Sequence, residues 1–119
     1  MTDRDEVNTL LPLQPATFHI LVALADGPRH GYAIIQDVAA RTNGEIKLSP
    51  GTLYRSIQRM LDDGLVVETR ERPADDDERR RYYRLTPLGR AVAEAEAARL
   101  TDLVRMARAR GLTPRKVQS

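Results

Sequence analysis

The sequence predicts a mainly α-helical fold with one small β-hairpin, in which three compact helices come first, the hairpin follows and a long helix comes last. Apolar residues recur at three- and four-residue steps in four segments, which is typical of helices with one buried face. Between the third and fourth segments, two short stretches containing Val and Tyr flank a polar loop, which is typical of a hairpin. Serine–proline and threonine–proline pairs predict where the last two helices begin.

The N-terminal third predicts an arm and two short helices. The first ten residues show no apolar period, so residues 1–12 are expected to form a flexible arm. Pro15 suits the first turn of a helix that ends at the Asp-Gly-Pro turn of residues 26–28. A second helix follows Gly31, and after it residues 45–48 are expected to be extended, as a single strand bridge.

The third helix has the strongest start signal. Ser49 is a favoured N-cap residue, and Pro50 is favoured at the first helical position. Apolar side chains then recur at helical spacing and predict one buried stripe, and Asp63-Gly64 ends the helix. The stripe comprises Leu53, Ile57, Met60 and Leu61.

The hairpin comes directly after the third helix. Residues 65–72 and 80–85 predict its two strands, which are joined by the polar loop of residues 73–79. Because side chains alternate between the two faces of a strand, the second strand should present one apolar face to the core. Tyr83 and Leu85 are expected to face inward, and Tyr82 and Arg84 outward.

The last helix begins with a second capped start at Thr86-Pro87 and reads as helical until Gly111 and Pro114 end it. Three compact helices followed by a two-stranded hairpin describe a winged helix-turn-helix, a fold most often used to bind DNA. The predicted parts are an arm of residues 1–12, a winged-helix domain of residues 13–86, a long helix of residues 87–110 and a tail of residues 111–119.

Composition excludes several classes of function. The chain has 119 residues and no cysteine, which excludes disulfides, thiolate zinc sites and cysteine nucleophiles. No apolar run approaches the ~18–20 residues that span a bilayer, and the acidic start lacks the apolar segment of a signal peptide. With His19 and His30 as the only histidines, no metal site or catalytic triad can be assembled. The sequence therefore predicts a soluble, cytoplasmic protein that is not an enzyme and has no cofactor and no membrane partner.

One face of the third helix has the composition of a surface that reads DNA. Opposite the apolar stripe, Gly51 permits close approach, Thr52 can contact a phosphate or a thymine methyl, and Arg55 can reach guanine or phosphate. An ordinary solvated helix face can have the same composition, so the hairpin is needed to support the prediction. The candidate DNA-binding residues of this element are Ser49, Gly51, Thr52, Tyr54, Arg55 and Arg59.

The second strand of the hairpin is strongly basic. Residues 79–119 carry 11 Lys or Arg against 3 Asp or Glu, and four of these arginines cluster on the strand. A basic wing can lie along the minor groove or the backbone of DNA. Alternatively, the arginines neutralise the acidic run of residues 75–78 inside a salt-bridged hairpin. The candidate DNA-binding residues here are Arg79, Arg80, Arg81 and Tyr82.

Four segments follow one another in a specific order and spacing: His30-Gly31-Tyr32, Ser49-Pro50-Gly51-Thr52-Leu53-Tyr54-Arg55, Asp63-Gly64-Leu65-Val66 and Arg81-Tyr82-Tyr83-Arg84-Leu85-Thr86-Pro87-Leu88-Gly89. Together they resemble the PadR family of bacterial transcriptional regulators, in its smaller form with one C-terminal helix. The resemblance implies a homodimeric winged-helix repressor that binds a pseudo-palindromic operator, with DNA contacts at residues 49–55 and a wing at residues 79–83. The acidic run of residues 75–78 departs from the family's basic wing tip.

The long last helix carries an apolar stripe that is expected to be uncovered in a single chain, which predicts a two-fold dimer. The alanines in its first half favour close contact between two such helices. A gap between them would instead accommodate a small apolar effector of unknown identity. The candidate dimerisation residues are Phe18, Leu21, Leu88, Val92, Ala95, Leu100, Leu103, Val104 and Ala107.

Two classes of function fit this pattern: a regulator that binds double-stranded DNA, and a winged-helix module that binds another protein with the same helix. The predicted reading face carries Thr, Arg and Gly rather than Leu or Met, which favours DNA. Affinity for DNA should also fall steeply with salt, whereas affinity for an apolar protein surface should not.

Overall fold

The computed structural model describes residues 3–74 and 79–113, and these two stretches contain five helices and three short strands. The predicted fold class is confirmed, because the three predicted compact helices, preceded by one short additional helix, are followed by a small hairpin and one long helix. The helices are α1 (Arg4–Thr9), α2 (Pro15–Ala23), α3 (Gly31–Arg41), α4 (Pro50–Asp62) and α5 (Pro87–Ala109). The strands are β1 (Arg29–His30), β2 (Val66–Thr69) and β3 (Tyr82–Leu85).

Both predicted capped starts are confirmed. Ser49 Oγ accepts a hydrogen bond from the Thr52 N–H at 3.1 Å, at the start of α4. Thr86 Oγ1 accepts one from the Gly89 N–H at 2.9 Å, at the start of α5. A proline stands at the first turn of each helix, where its missing N–H costs no helical hydrogen bond.

The N-terminal segment differs from the flexible arm that the sequence predicts. Asp3 accepts a hydrogen bond from the Asp5 N–H and caps the six-residue helix α1, which packs against α5. Val7 from this helix is buried in the core. A helix of six residues with one buried side chain has no apolar period, which is why the pattern did not reveal it.

The sheet gains its third strand at a different place from the predicted one. Residues 45–48 form no strand, and the extra pairing comes from β1, in the order β1-β3-β2. His30 of β1 lies opposite Tyr82 of β3, and Val66 of β2 lies opposite Leu85. The hairpin strands are also shorter than predicted, with four residues each. Residues 45–48 instead lead the chain into the Ser49 cap.

Both tyrosines of β3 are buried, so the outward placement predicted for Tyr82 is wrong. Tyr83 joins the core as predicted, while Tyr82 is only 5% exposed on the opposite face. The His30 ring meets it edge-on with ring centroids 5.3 Å apart, and the Arg72 guanidinium lies 5.1 Å from its ring centroid. Strand alternation places a side chain on a face but does not show what covers that face.

The first half of α5 is covered by its own chain. Both α1 and α2 pack on α5, and Leu21 and Val92 are fully buried within the monomer. The prediction that these two residues contact a second subunit is therefore wrong, because α1 and α2 already fill the space. α5 ends at Ala109, within one residue of the predicted end, and Gly111 follows its C-cap with a φ of +84°. The predicted role of Pro114 lies outside the described residues.

Candidate nucleic-acid interface

Helix α4 has one buried face and one exposed polar face. Leu53, Ile57 and Met60 are buried in the core, as the spacing predicts. Opposite them, Gly51, Tyr54, Arg55 and Arg59 are exposed and Thr52 is half-buried; the last two turns of the helix add exposed Gln58. The helix therefore presents the predicted polar side chains outward.

The first turn of α4 is organised around the Thr52 hydroxyl. Ser49 Oγ donates to Thr52 Oγ1 at 3.0 Å, and Arg55 Nη2 lies 3.5 Å from the same oxygen. Because Thr52 Oγ1 accepts both of these bonds, its own O–H remains able to donate to a further acceptor. The first turn thus holds one hydroxyl donor and one guanidinium side by side.

Tyr54 connects α4 to the start of α3. Its side chain is 52% exposed, yet a Cβ atom on Gly31 would lie 2.5 Å from its hydroxyl oxygen. The Tyr54 ring therefore lies against the backbone of α3, in space that only glycine at position 31 leaves open. This contact explains the His-Gly-Tyr segment, and it gives Tyr54 a positioning role between the two helices.

The described part of the wing is basic, and its side chains contact other residues of the hairpin. Arg79, Arg80 and Arg81 are all exposed. Arg81 Nε lies 3.9 Å from Glu68 Oε1 across the hairpin, and Arg72 Nη1 donates to the Arg80 carbonyl at 2.9 Å. Arg81 is thus paired across the hairpin with Glu68, which is not part of the acidic run named in the alternative prediction. The acidic run of residues 75–78 lies outside the described residues.

A basic cleft separates the wing from the two helices of the helix-turn-helix. Its volume is about 480 Å³. Burial, followed by the charge of Glu68, raises the pKa of Tyr83 above its usual range, so this phenol keeps its proton. The lining residues are His30, Gly31, Tyr32, Tyr54, Arg79, Arg80, Arg81 and Tyr83.

The structure brings Tyr54 and the three wing arginines together around one cleft, and it adds two residues that no sequence pattern placed in the site. Tyr32 is largely exposed, and His30 contacts the wing directly. The sequence feature that could have placed both residues in the site is the His-Gly-Tyr segment at a predicted helix start. On the other side of α4, Gln14 and Thr17 of the α2 region share a groove with Thr52.

The predicted dimerisation residues of α5 and Phe18 of α2 differ in how far they are exposed. Leu88 and Ala95 are half-buried against the core of their own chain, whereas Leu103 and Val104 are 49% and 47% exposed. Met106 is also exposed, at 58%, and was not among the predicted residues. Leu100, Ala107 and Phe18 are half-buried. The apolar surface therefore lies on the C-terminal half of α5.

Two further observations concern metal ions and membranes. Within residues 3–74 and 79–113, no three His, Asp or Glu side chains are grouped so that they could hold a metal ion. Among the helices of the same stretches, none combines the length and the apolar character of a membrane span.

Three compact helices, an exposed polar face on the third of them and a basic hairpin define a winged-helix protein of the DNA-binding class. A family model described as "Transcriptional regulator PadR-like family" matches residues 20–95. The chain belongs to this family, whose members are DNA-binding transcriptional regulators and not enzymes. The resemblance seen in the sequence is thereby confirmed, and the matches do not support the alternative of a protein-binding module.

Two relatives are similar to this chain over most of its length. The chain is 38% identical over 87 residues to "Transcriptional regulator Rv3488" of Mycobacterium tuberculosis, covering 73% of this chain and 77% of that protein. It is 40% identical over 84 residues to an uncharacterized 37.1 kDa protein in transposon TN4556 of Streptomyces fradiae. That match covers 71% of this chain but only 22% of the transposon protein, so the chain spans a small part of that relative.

Solved structures share the fold. A transcriptional regulator from Clostridium thermocellum has a TM-score of 0.68 at 20% identity, covering 95% of this chain and 100% of that one. A PadR family transcription regulator from Clostridium difficile has a TM-score of 0.68 at 23% identity, covering 80% and 96%. RosR of H. salinarum has a TM-score of 0.61 at 26% identity, covering 80% and 81%.

Proposed function

We propose that this chain is a homodimeric repressor that binds a pseudo-palindromic operator, with α4 in the major groove and the wing along the DNA backbone. The observation that carries the proposal is the pairing of Thr52 and Arg55 in the first turns of α4, a helix whose Tyr54 borders a cleft lined by three arginines. Major-groove readers place their base contacts in the same part of a recognition helix.

The surface of α4 suits entry into a groove about 12 Å wide. A Cβ on Gly51 would have Arg55 as its nearest neighbour, at 3.9 Å, so bulk is low at this point of the helix. Thr52 can donate to a phosphate or contact a thymine methyl, and Arg55 can donate to guanine. Ser49 is occupied by the cap, so its proposed role is to fix the first turn, and Arg59 extends the surface by one turn.

We assign the wing a sequence-independent role. Arg79, Arg80 and Arg81 are exposed and suit phosphate contacts, which add affinity without reading bases. Tyr82 was predicted to touch DNA, but its ring is buried between His30 and Arg72. Its proposed role is therefore structural, to hold the wing strand β3 against His30 and Arg72.

The homodimer is supported by the apolar surface of α5. Leu103, Val104 and Met106 are exposed on the half of the helix that extends beyond the cover of α1 and α2. Phe18 also lines an apolar cleft between α2 and α5. We propose that these surfaces meet in a two-fold dimer, with α5 as its dimerisation element after the winged-helix domain of residues 13–86.

The cleft between α2 and α5 bears on the predicted effector. Its volume is about 190 Å³. Pockets for drug-sized ligands typically measure about 300–1,000 Å³. This cleft within one chain is therefore smaller than a typical effector pocket, and it is distinct from the predicted gap between the α5 helices of two subunits.

Repression needs only occupancy, because a dimer seated on a promoter blocks access of RNA polymerase. The test begins with selection of a duplex from a random-sequence library by the wild-type protein. The duplex is then placed across a promoter in a purified transcription reaction. We expect transcript yield to fall as protein is added and to recover when excess duplex competes. A rise in yield would show activation, and an unchanged yield with the duplex occupied would contradict the repressor role.

A further inference from the structure

We propose that the groove between α2 and α4 binds one phosphate of the DNA backbone, with the Thr17 hydroxyl and the Arg59 guanidinium as hydrogen-bond donors. The sequence pattern assigns α2 no contact with DNA. The inference rests on the proposed DNA-binding function and adds a second backbone contact to it, on the opposite flank of α4 from the wing.

The groove is polar and positively charged. Its volume is about 300 Å³, and it lies between the first turn of α2 and one side of α4. Arg55 and Arg59 supply two guanidinium groups, and none of the described residues that line the groove is acidic. Asp63 lines a neighbouring cleft together with Arg59, but within residues 3–74 and 79–113 no ion pair joins these two side chains. The groove therefore suits an anion, and guanidinium groups bind phosphate well.

Two residues that line the groove have hydroxyls that the protein itself does not use. Hydroxyls inside helices commonly donate to a backbone carbonyl of the preceding turn, as those of Thr9 and Thr101 do here. Thr17 and Ser56 are half-buried, and within the described part of the chain neither hydroxyl makes a hydrogen bond. Both hydroxyls are thus available to donate to a bound oxygen.

The groove takes its donors from two helices. Thr52, Ser56 and Arg59 are four and three residues apart, so at about 3.6 residues per turn they form a continuous polar stripe along α4. Thr17 lines the same groove from α2. A phosphate in the groove can therefore accept hydrogen bonds from both helices.

The position of the groove decides which DNA strand it meets. Tyr54 borders the wing cleft and Ser56 lines this groove, and because they are two residues apart they point about 160° apart around α4. A helix with its side chains is about 10–12 Å across and the major groove is about 12 Å wide, so both DNA backbones pass beside the helix. These two backbones belong to different strands. The wing therefore meets one strand, and the groove between α2 and α4 meets the other.

Contacts on both flanks give the recognition helix a defined position. Phosphate contacts fix the register and the orientation of a protein on the duplex. On the helical wheel, Arg55 points between Tyr54 and Ser56, away from the buried side of α4. Backbone contacts on the two flanks therefore hold Arg55 toward the base edges.

The test measures binding to a duplex selected by the wild-type chain and to a scrambled duplex. T17V removes the hydroxyl and keeps the shape of the side chain, whereas T17S keeps the hydroxyl. R59A removes an exposed guanidinium, and the double variant T17V/R59A measures whether both groups act on one phosphate. T9V is the matched control, because Thr9 is exposed on α1 and its hydroxyl donates to the Glu6 carbonyl. Thermal melting shows whether each variant is folded.

We expect T17V to weaken binding about 3- to 10-fold on both duplexes, because a phosphate contact reads no sequence. T17S and T9V should stay within about twofold of the wild-type affinity. R59A should reduce the slope of log affinity against log salt by about 0.9, whereas T17V removes no charge and should leave the slope unchanged. Adding T17V to R59A should cost less than about a further twofold.

Phosphate ethylation identifies the strand. Ethylation of one phosphate should weaken wild-type binding, and this effect should disappear in both T17V and R59A. R80A, in the wing, should instead remove the effect of a phosphate on the complementary strand, across the major groove. The losses of affinity from T17V and R80A should multiply, because the two side chains contact different phosphates.

Four results would overturn the inference: wild-type affinity in folded T17V, an equally large loss in T17S, losses that multiply in T17V/R59A, or loss of the same ethylation effect in T17V and R80A. Failure of the proposed function is distinguishable. If the wild-type chain selects no duplex, DNA binding fails and the groove contact fails with it. If R55A weakens binding and folded T17V does not, only the groove contact is wrong.

Discussion

Arg55 has an exposed guanidinium within 3.5 Å of the Thr52 hydroxyl, at the start of the helix that we place in the major groove. We predict that R55A costs about 1–3 kcal/mol of binding free energy on the selected duplex and much less on a scrambled one. A fluorescence-anisotropy titration measures both. R105A removes the same charge from α5 and should leave the difference in affinity between the selected and the scrambled duplex unchanged. Equal affinity of R55A and the wild-type chain for the selected duplex would refute the assignment of α4 as the recognition helix.

Glu96 is a buried carboxylate of α5 that no sequence pattern indicates. Arg99 bonds both of its oxygens, at 2.6 and 2.9 Å, and the Leu13 N–H donates to it at 3.1 Å. The bonds from Arg99 are the main cause that lowers the pKa of Glu96 below its ordinary value of 4.5. This carboxylate therefore ties the segment before α2 to α5.

We predict that E96Q lowers the melting temperature at pH 7 by about 4–8 °C, the shift that corresponds to roughly 1 kcal/mol in a domain of this size. Because the folded-state pKa is depressed, the stabilisation is complete above the ordinary pKa and is lost as pH falls through the folded value. The difference between E96Q and wild type should therefore narrow below about pH 4.5. Calorimetry across pH tests this prediction, and E94Q, at an exposed position, is the control. A difference in melting temperature between E96Q and wild type that does not change with pH would contradict it.

The junction between the wing and α5 depends on a close backbone approach. A Cβ on Gly89 would lie 1.9 Å from the Leu65 carbonyl oxygen, a clash with backbone that no side-chain rotation relieves. Thr86 Oγ1 donates to the Gly64 carbonyl at 2.6 Å, from the residue next to Leu65. These contacts explain why a threonine and a glycine stand three residues apart at the start of α5.

We predict that G89A destabilises the protein by about 3 kcal/mol or more, since overpacking typically costs 1–3 kcal/mol and here the obstacle is backbone. G51A is the matched control, because it adds the same methyl to the first turn of α4 with 3.9 Å to the nearest atom. Urea unfolding should give a clearly lower free energy of unfolding for G89A than for G51A. Equal stability of G89A and G51A would contradict the close approach.

Elements that are determined by residues close to them in sequence could be predicted, and elements that depend on distant residues could not. The starts of α4 and α5 follow from Ser49 and Thr86, whose side chains bond backbone three residues away, so the sequence alone predicts them. The exposed Arg55 follows from helical spacing in the same way. β1 has two residues, and its pairing with β3 spans half the chain, so no local pattern indicates it.

The residues whose positions are predicted wrongly from the sequence also have contacts with residues that are distant in the chain. The sequence predicts that Tyr82 faces solvent, because strand alternation cannot show that His30 and Arg72 cover its ring. The sequence predicts that Leu21 and Val92 contact a second subunit, because the packing of α1 and α2 on α5 is a tertiary contact that no local pattern indicates. His30 enters the candidate site for the same reason, since its neighbour Arg80 is fifty positions away in sequence.

The exposed apolar end of α5 predicts the oligomeric state of the whole molecule. We expect light scattering at micromolar concentration to give twice the chain mass of 13.4 kDa. A charge placed in the surface, as in V104D, should yield monomers that keep their fold, because Val104 is 47% exposed. L65D, at a buried core position, should instead unfold the chain. A monomeric mass for the wild-type protein would refute the dimer.

The central claim is that two copies of α4 read DNA from one two-fold dimer, and selection from a random-sequence duplex library tests it most directly. A dimer with the proposed geometry places its recognition helices about 34 Å apart, or one turn of DNA. We therefore predict that the wild-type protein enriches a motif of two inverted half-sites whose centres are about 10 base pairs apart. Enrichment of a single unrepeated motif, or of none, would contradict the account.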